Sequence, residues 1–445
     1  MREELSSQDV RAFRTSFEAN PAHRLAMNAV TNSGLMEAAL SRRSVMSVDH
    51  VYSHQVPAGK ATNQQKTGRC WLFAGLNTLR TAAMQKMGLK EFELSQAYQM
   101  FWDKLEKANF FLENMLETAE EPLDSRVVMW LLGDPLGDGG QWDMFANLVR
   151  KYGVVPKTVM PESSSSSESR SMNAVLVARL REHAMTLRKG VSSGAPAEEL
   201  RQRKAGMLDE VYRILSICMG QPPDEFCWQW RDSDDEFHRA GVLAPLRFFD
   251  EYVGLSLDDY VCLINAPTGD KPFGKLYTVQ YLGNVLGGSP VIYLNAPIQD
   301  LRSAAMETIR DGQPVWFACD VGKMFHRKLG VMDMGLYDLE AVLGVGLGLG
   351  KGDRLQYCQS RMNHAMVLTA VDVDPDGSPT RWRVENSWGD EIGDKGFMMM
   401  TDEWFGEYVY EITVQRQYLS PELLKALDTE PVVLPPWDPM GSVAR

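Results

Sequence analysis

Apolar positions recur at helical spacing over 70–87, 94–117, 122–133 and 141–152, and each stretch predicts a helix. The first opens with Cys70-Trp71-Leu72-Phe73 and runs on through Leu76, Leu79 and Met84. Gly68, just before it, can supply a tight turn. Gly137-Asp138-Gly139-Gly140 breaks the pattern ahead of the fourth helix. Trp102, the Phe110-Phe111 pair and Trp142 read as core. Near the start, Val10, Phe13 and Phe17 are helically spaced after Ser6-Ser7, which can cap a helix. Such a helix can pack on its own lobe. The polar stretch 158–172, with five serines from Ser163 to Ser167, reads as an exposed linker. Two polar helices rich in Arg and Glu follow over 173–219, and Pro222-Pro223 ends them.

From 226 to 320 the pattern shifts towards strand and turn. The runs 291–294 and 315–319 are short, apolar and partly β-branched or aromatic, with a helix over 298–311 between them. Residues 363–371 read as a strand with His364 at its start, and Asn386 follows one hairpin later. Asp372-Val373-Asp374-Pro375-Asp376-Gly377 begins like a calcium loop. Its twelfth position is Arg383, where a bidentate Glu is needed, so an acidic hairpin is the better reading. The glycine-rich run 344–352 fits neither dinucleotide nor Walker spacing and reads as a flexible loop. After a short helix around Glu422 to Leu427, Pro431, Pro435, Pro436 and Pro439 impose an extended arm.

Composition narrows the class. A chain of 445 residues allows about three domain-sized units at roughly 150 residues each. With 44% hydrophobic and 24% charged residues it has the balance of a globular protein with a sizeable core. The first residues lack the apolar stretch of a signal peptide, and no uninterrupted apolar run reaches about 18 residues, so no membrane span is expected. Six cysteines without CxxC pairs predict free thiols in a reducing cytoplasm. A net charge of −13 disfavours nucleic acid as a general partner. Seven histidines form no HExxH or HxH cluster, so neither metal nor cofactor is expected.

The chemistry gathers on Cys70. A thiol at a helix N-terminus feels the positive end of the helix dipole, which favours the nucleophilic thiolate. Gln64, six residues upstream, offers an amide NH2 of the kind that stabilises an oxyanion. A lone cysteine is ordinarily buried packing. Here His364 and Asn386 follow in the chain order Cys, His, Asn. Gln64-x5-Cys70-Trp71, Asn363-His364-Ala365 and Asn386-Ser387-Trp388-Gly389 resemble the papain-like peptidases. Phe92-Glu93-Leu94-Ser95-Gln96-Ala97-Tyr98, Asp138-Gly139-Gly140-Gln141-Trp142-Asp143-Met144 and Trp437-Asp438-Pro439-Met440-Gly441 extend the resemblance, over nearly the whole chain, to the bleomycin hydrolase/aminopeptidase C family. The wide gap between Cys70 and His364, against about 130–150 residues in the papain pattern, fits a papain-like chain with large insertions.

The resemblance implies an α+β fold of two papain-like lobes, one helical and one a β-barrel-like sheet, with helical insertions and a C-terminal arm. The regions are then an oligomerisation segment over 1–62, a helical catalytic lobe over 63–157, and an inserted helical subdomain over 158–225. A sheet lobe over 226–415 and the arm over 416–445 complete the chain. In this reading Cys70 is the nucleophile, His364 the acid and base, and Asn386 the residue that orients His364. Gln64 lines the oxyanion hole and Trp388 covers the Asn–His contact. Ala444 and Arg445 bring the chain's end into the cleft to anchor a substrate amine. The implied activity is release of N-terminal residues from peptides with a free amine, by a cytoplasmic homohexamer, with bleomycin-type amide hydrolysis as a family trait. Two other papain-like readings are an endopeptidase and a different Cys-His acyl hydrolase. A non-catalytic assembly that binds nucleic acid is the reading from another class.

Overall fold

The computed structural model describes residues 3–444. Its organising element is the helix Cys70–Met87, which runs through the protein with fifteen of its residues buried. A helix buried on most of its surface is largely apolar, and its buried polar residues, Asn77 and Arg80 among them, need partners. Arg69 precedes it with no side-chain cap, and Gly88 ends it at φ 64°. The expected helices 94–117, 122–133 and 141–152 appear as Gln96–Glu117, Arg126–Gly133 and Trp142–Tyr152. Trp142 is fully buried against Phe145, Tyr260 and Trp316. The two polar helices are Arg170–Ser192 and Ala197–Met219. Their buried residues Leu176, Leu180, Leu187, Val211 and Leu215 join the same core as the Cys70 helix.

The second lobe is a mixed sheet. Its middle runs Tyr260–Ile264, Val409–Gln415, Val315–Cys319, His364–Val373, Pro379–Glu385 and Phe397–Thr401, each antiparallel to the next. The His364 strand is apolar on both faces because it is covered on both. Ala365 and Val367 enter the core that contains Trp71. Met366 and Leu368 enter a second core with Leu301 and Ile309 of the helix Ile298–Arg310. That alternation is the period of two of a strand buried between two layers. It also fixes register, with His364 opposite Cys319 and Val367 opposite Glu385. The papain-like two-lobe α+β architecture is therefore as the resemblance implied.

Three expectations need correction. Ser164–Ser167 is a capped helical turn, and the Ser163 hydroxyl accepts from the Ser166 backbone N–H. Ser166 is buried and its hydroxyl donates to Glu162, so a serine run read as an exposed linker is internal structure. The tail is only partly extended. After the expected short helix, Pro421–Ala426, it contains the strand Val432–Leu434 parallel to Lys275–Val279 and a closing 3-10 turn over Pro439–Ala444. The glycine-rich run is open only to Gly350. Lys351 starts a short helix and is buried, its Nζ donating to the carbonyls of Gly406 and Val409. The helices Ser7–Ala19 and Pro21–Ser33 contain no buried residue, and Phe13 is 61% exposed.

Candidate active site

The two lobes meet at Cys70 and His364. Cys70 sits in the first turn of its helix, and the Ala365 backbone N–H donates to its Sγ at 3.4 Å. That contact joins the helix N-terminus to the start of the His364 strand. His364 is buried, and its Nε2 lies 2.8 Å from Asn386 Oδ1. Because a carbonyl oxygen can only accept, Nε2 carries the proton and Nδ1 is left to exchange one. Asn386 Oδ1 also accepts from the Ser387 N–H at 2.7 Å, and its Nδ2 donates to Met398 Sδ at 3.7 Å. The amide is therefore held at both ends. The Trp388 ring lies 4.8 Å from the His364 ring and shields it on one side.

Gln64 is locked with equal care. Its backbone N–H donates to the Ser387 carbonyl at 2.8 Å, and its Oε1 accepts from the Ser387 hydroxyl at 2.6 Å. Nε2 donates to the Thr67 carbonyl at 2.6 Å. One N–H accounts for that bond, and the amide's second N–H is the donor available to an oxyanion.

Charge at the site follows from burial. Desolvation pushes the Cys70 thiol up to about 11, opposed by the backbone N–H groups of Ala365 and Trp71. Desolvation likewise lowers His364 to about 4, opposed by its bond to Asn386 and reinforced by Arg327. Burial thus favours the uncharged pair and works against the thiolate that the helix N-terminus promotes. Proton transfer from Cys70 to His364 creates both charges together, so each ion offsets the other's lost hydration.

Two polar networks that sequence reasoning missed hold this arrangement. Glu385, immediately before Asn386, is buried and pairs with the buried Arg80 of the Cys70 helix. Asn77 Nδ2 donates to the same carboxylate at 2.9 Å and to Thr62 at 3.0 Å. The lobes are thus tied one residue from the histidine's partner. Glu385→Ala strands the Arg80 guanidinium, and losing one member of a buried pair costs about 3–5 kcal/mol. Denaturant unfolding is expected to show that loss, and Glu385→Ala with Arg80→Met is expected to recover part of it. Sequence offered only the helical positions of Asn77 and Arg80 as a signal.

The other network centres on Asp138. Lys104 lies 2.6 Å away, and Ser169, Asn173 and the Gly68 N–H donate at 2.5, 2.7 and 3.1 Å. These partners outweigh burial and hold its carboxyl well below the usual range. Its backbone carbonyl accepts from the Trp71 indole at 2.7 Å. At Gly140 a Cβ would stand 2.5 Å from the Trp71 ring, so glycine is required there. Arg69, just before Cys70, is buried in a two-pronged pair with Glu162 at 3.1 Å.

The tail folds back to this place. Lys271 pairs with Asp438 at 2.9 Å, and Arg126 lies 3.6 Å over the Trp437 ring. The Met440 carbonyl accepts from Tyr293 at 3.0 Å and Gln141 at 3.3 Å. The Ser442 hydroxyl donates at 2.6 Å to Met362, two residues before His364. Ala444 packs on the core that contains Cys70, and its carbonyl faces Gly137, where a Cβ would come within 3.4 Å. Arg445 lies outside the described residues. Away from the cleft, Asp232, Glu236 and His238 cluster at a hairpin tip, but Asp232 already accepts from His238 and two backbone N–H groups.

Known proteins agree with this geometry. The model of the Peptidase C1-like family matches residues 4–441. Bleomycin hydrolase of Gallus gallus is 45% identical over 451 residues, covering 99% of both chains. Aminopeptidase C of Listeria monocytogenes is 44% identical over 444 residues, covering all of both. The chain belongs to this family. As a member of the bleomycin hydrolase/aminopeptidase C family it is a papain-like cysteine peptidase of the aminopeptidase type. The crystal structure of PepW from Lactobacillus rhamnosis HN001 superposes with a TM-score of 0.97 at 44% identity, over 99% of each chain. Among the described residues no helix is long and apolar enough to cross a membrane.

Proposed function

We propose that this aminopeptidase removes N-terminal residues one at a time, with Cys70 as nucleophile and the C-terminal arm as the anchor for the substrate's amine. The observation that supports the reading is the docking of the arm, whose Ser442 hydroxyl bonds the Met362 carbonyl two residues before His364 and whose Met440 carbonyl accepts from Gln141. His364 Nδ1 takes the Cys70 proton as Sγ attacks the peptide carbonyl, and Asn386 holds the imidazole in the required tautomer. Gln64 and the Cys70 backbone N–H receive the oxyanion. His364 then protonates the leaving amine, and water hydrolyses the thioester. Trp388 limits water around the Asn386–His364 bond.

In this proposal the end of the arm blocks the path of an extended substrate and leaves room for one residue before the cleaved bond. Its α-carboxylate, carried by Arg445, pairs with a substrate α-ammonium. Bleomycin-type amides are accepted insofar as they present such an amine. The exposed Phe13, Phe17 and Leu25 of the N-terminal helices support that segment's role in a homohexamer. Six free cysteines support a reducing cytoplasm.

The test is hydrolysis of an aminoacyl arylamide beside its N-acetylated twin. Loss of the ammonium is expected to lower kcat/KM by at least about 100-fold, the equivalent of about 2.7 kcal/mol. Equal turnover of the twin would instead indicate an endopeptidase.

A further inference from the structure

The side of the cleft away from the arm carries positive charge for which peptide hydrolysis has no use. A cavity of about 520 Å³ there is lined by residues that include Gln64, Gly68, Asp138, Arg170, Arg327 and Trp388. No described residue of the arm contributes to it, whereas Gln64 and Trp388 belong to the candidate catalytic site. A substrate whose amine meets the arm must therefore send the rest of its chain in this direction.

The charges on the wall are unequal in their freedom. Asp138 is spent on Lys104, Ser169, Asn173 and Gly68. Lys66 pairs with Glu168 at 3.1 Å. Arg170 and Arg327, both exposed, have no carboxylate partner among the described residues, in a chain with a net charge of −13. Arg327 is also placed, with its guanidinium 4.6 Å over the Trp388 ring. That stacking restrains a long side chain and leaves its N–H edges free for a planar anion.

We propose that this cavity is a carboxylate-reading subsite, in which Arg327 and Arg170 receive the C-terminal carboxylate of a short peptide substrate. Arginine suits the task because its forked donors match a carboxylate at two points. The enzyme then recognises both ends of its substrate, the amine at the arm and the carboxylate on the leaving side. Peptides of two to four residues become its best substrates, which places it after enzymes that generate short fragments. The inference rests on the proposed aminopeptidase reading for its direction along the cleft.

The experiment compares di-, tri- and tetrapeptides as free acids and as C-terminal amides, all with the same N-terminal residue. The ratio of kcat/KM for acid over amide is expected to reach about tenfold at one length, to act mainly through KM, and to shrink as salt rises. In Arg327→Gln with Arg170→Gln the ratio is expected to fall to near one. A ratio near one at every length in the wild type, or a ratio unchanged by salt and by both substitutions, overturns the proposal. The aminoacyl arylamide, which has no carboxylate, separates the two readings. If it is hydrolysed while the ratio stays near one, only the subsite fails. If it is not hydrolysed, the aminopeptidase reading falls and takes the subsite with it.

Discussion

Replacing Cys70 with Ala is expected to lower kcat/KM for an aminoacyl arylamide by about 10⁵-fold or more while leaving the protein folded. Residues that act as one unit lose most of their effect when any essential member is removed. His364→Ala is therefore expected to cost nearly as much, and the double variant little more than either. Asn386→Ala should cost less, since it releases the imidazole's orientation but removes no reacting atom. The fold should tolerate Cys70→Ala because the thiol is a small buried group that accepts from backbone N–H groups. Single-turnover acylation and far-UV circular dichroism read the two outcomes. A Cys70→Ala enzyme with more than a hundredth of wild-type activity would remove the thiol from the mechanism.

The same residues set a pH profile. His364, lowered to about 4, must be neutral to accept a proton, so activity rises as pH increases through that acid limb. Cys70, raised to about 11, keeps the pair from losing its remaining proton until well above neutral pH. The pair's macroscopic limbs are thus widely separated whichever atom holds the proton between them. A narrower alkaline limb near pH 8 is expected for free-amine substrates alone, because an unperturbed α-ammonium titrates at about 7.7–8.0. The N-acetylated twin should lack it.

What the sequence made legible was what local pattern encodes. The four helices of the first lobe, the His364 strand and the order Cys, His, Asn could be read because period and neighbours specify them. The hydrogen bond that holds Gln64 could not, since Ser387 reaches it from the far lobe, and neither could the contact of Asn386 with Met398. Arg80 and Glu385 look like ordinary surface charges until the lobes meet and bury them. The serine run misled because polar composition normally means solvent, whereas here Glu162 takes both Arg69 and Ser166 in the interior. Arg170 and Arg327 are far apart in the chain, and only the folded cleft makes them one feature.

Removing residues 439–445 is expected to abolish the preference for a free amine. The deletion takes away the 3-10 turn Pro439–Ala444 and the chain end, while Lys271 keeps its partner Asp438. N-acetylated arylamides should then be cleaved within a few-fold of their free-amine counterparts, against at least about 100-fold in the intact chain. Longer blocked peptides should become substrates as well. Losing Met440 and Val443, both buried, costs roughly 1.5–3 kcal/mol each and opens the core to water. A second variant lacking only residues 444–445 isolates the anchor, because it keeps Met440, Ser442 and Val443 in place. If the short deletion loses amine selectivity and retains stability, the end of the arm acts as the substrate anchor. If both deletions keep the wild-type preference, the arm is a structural strap and the selectivity arises elsewhere in the cleft.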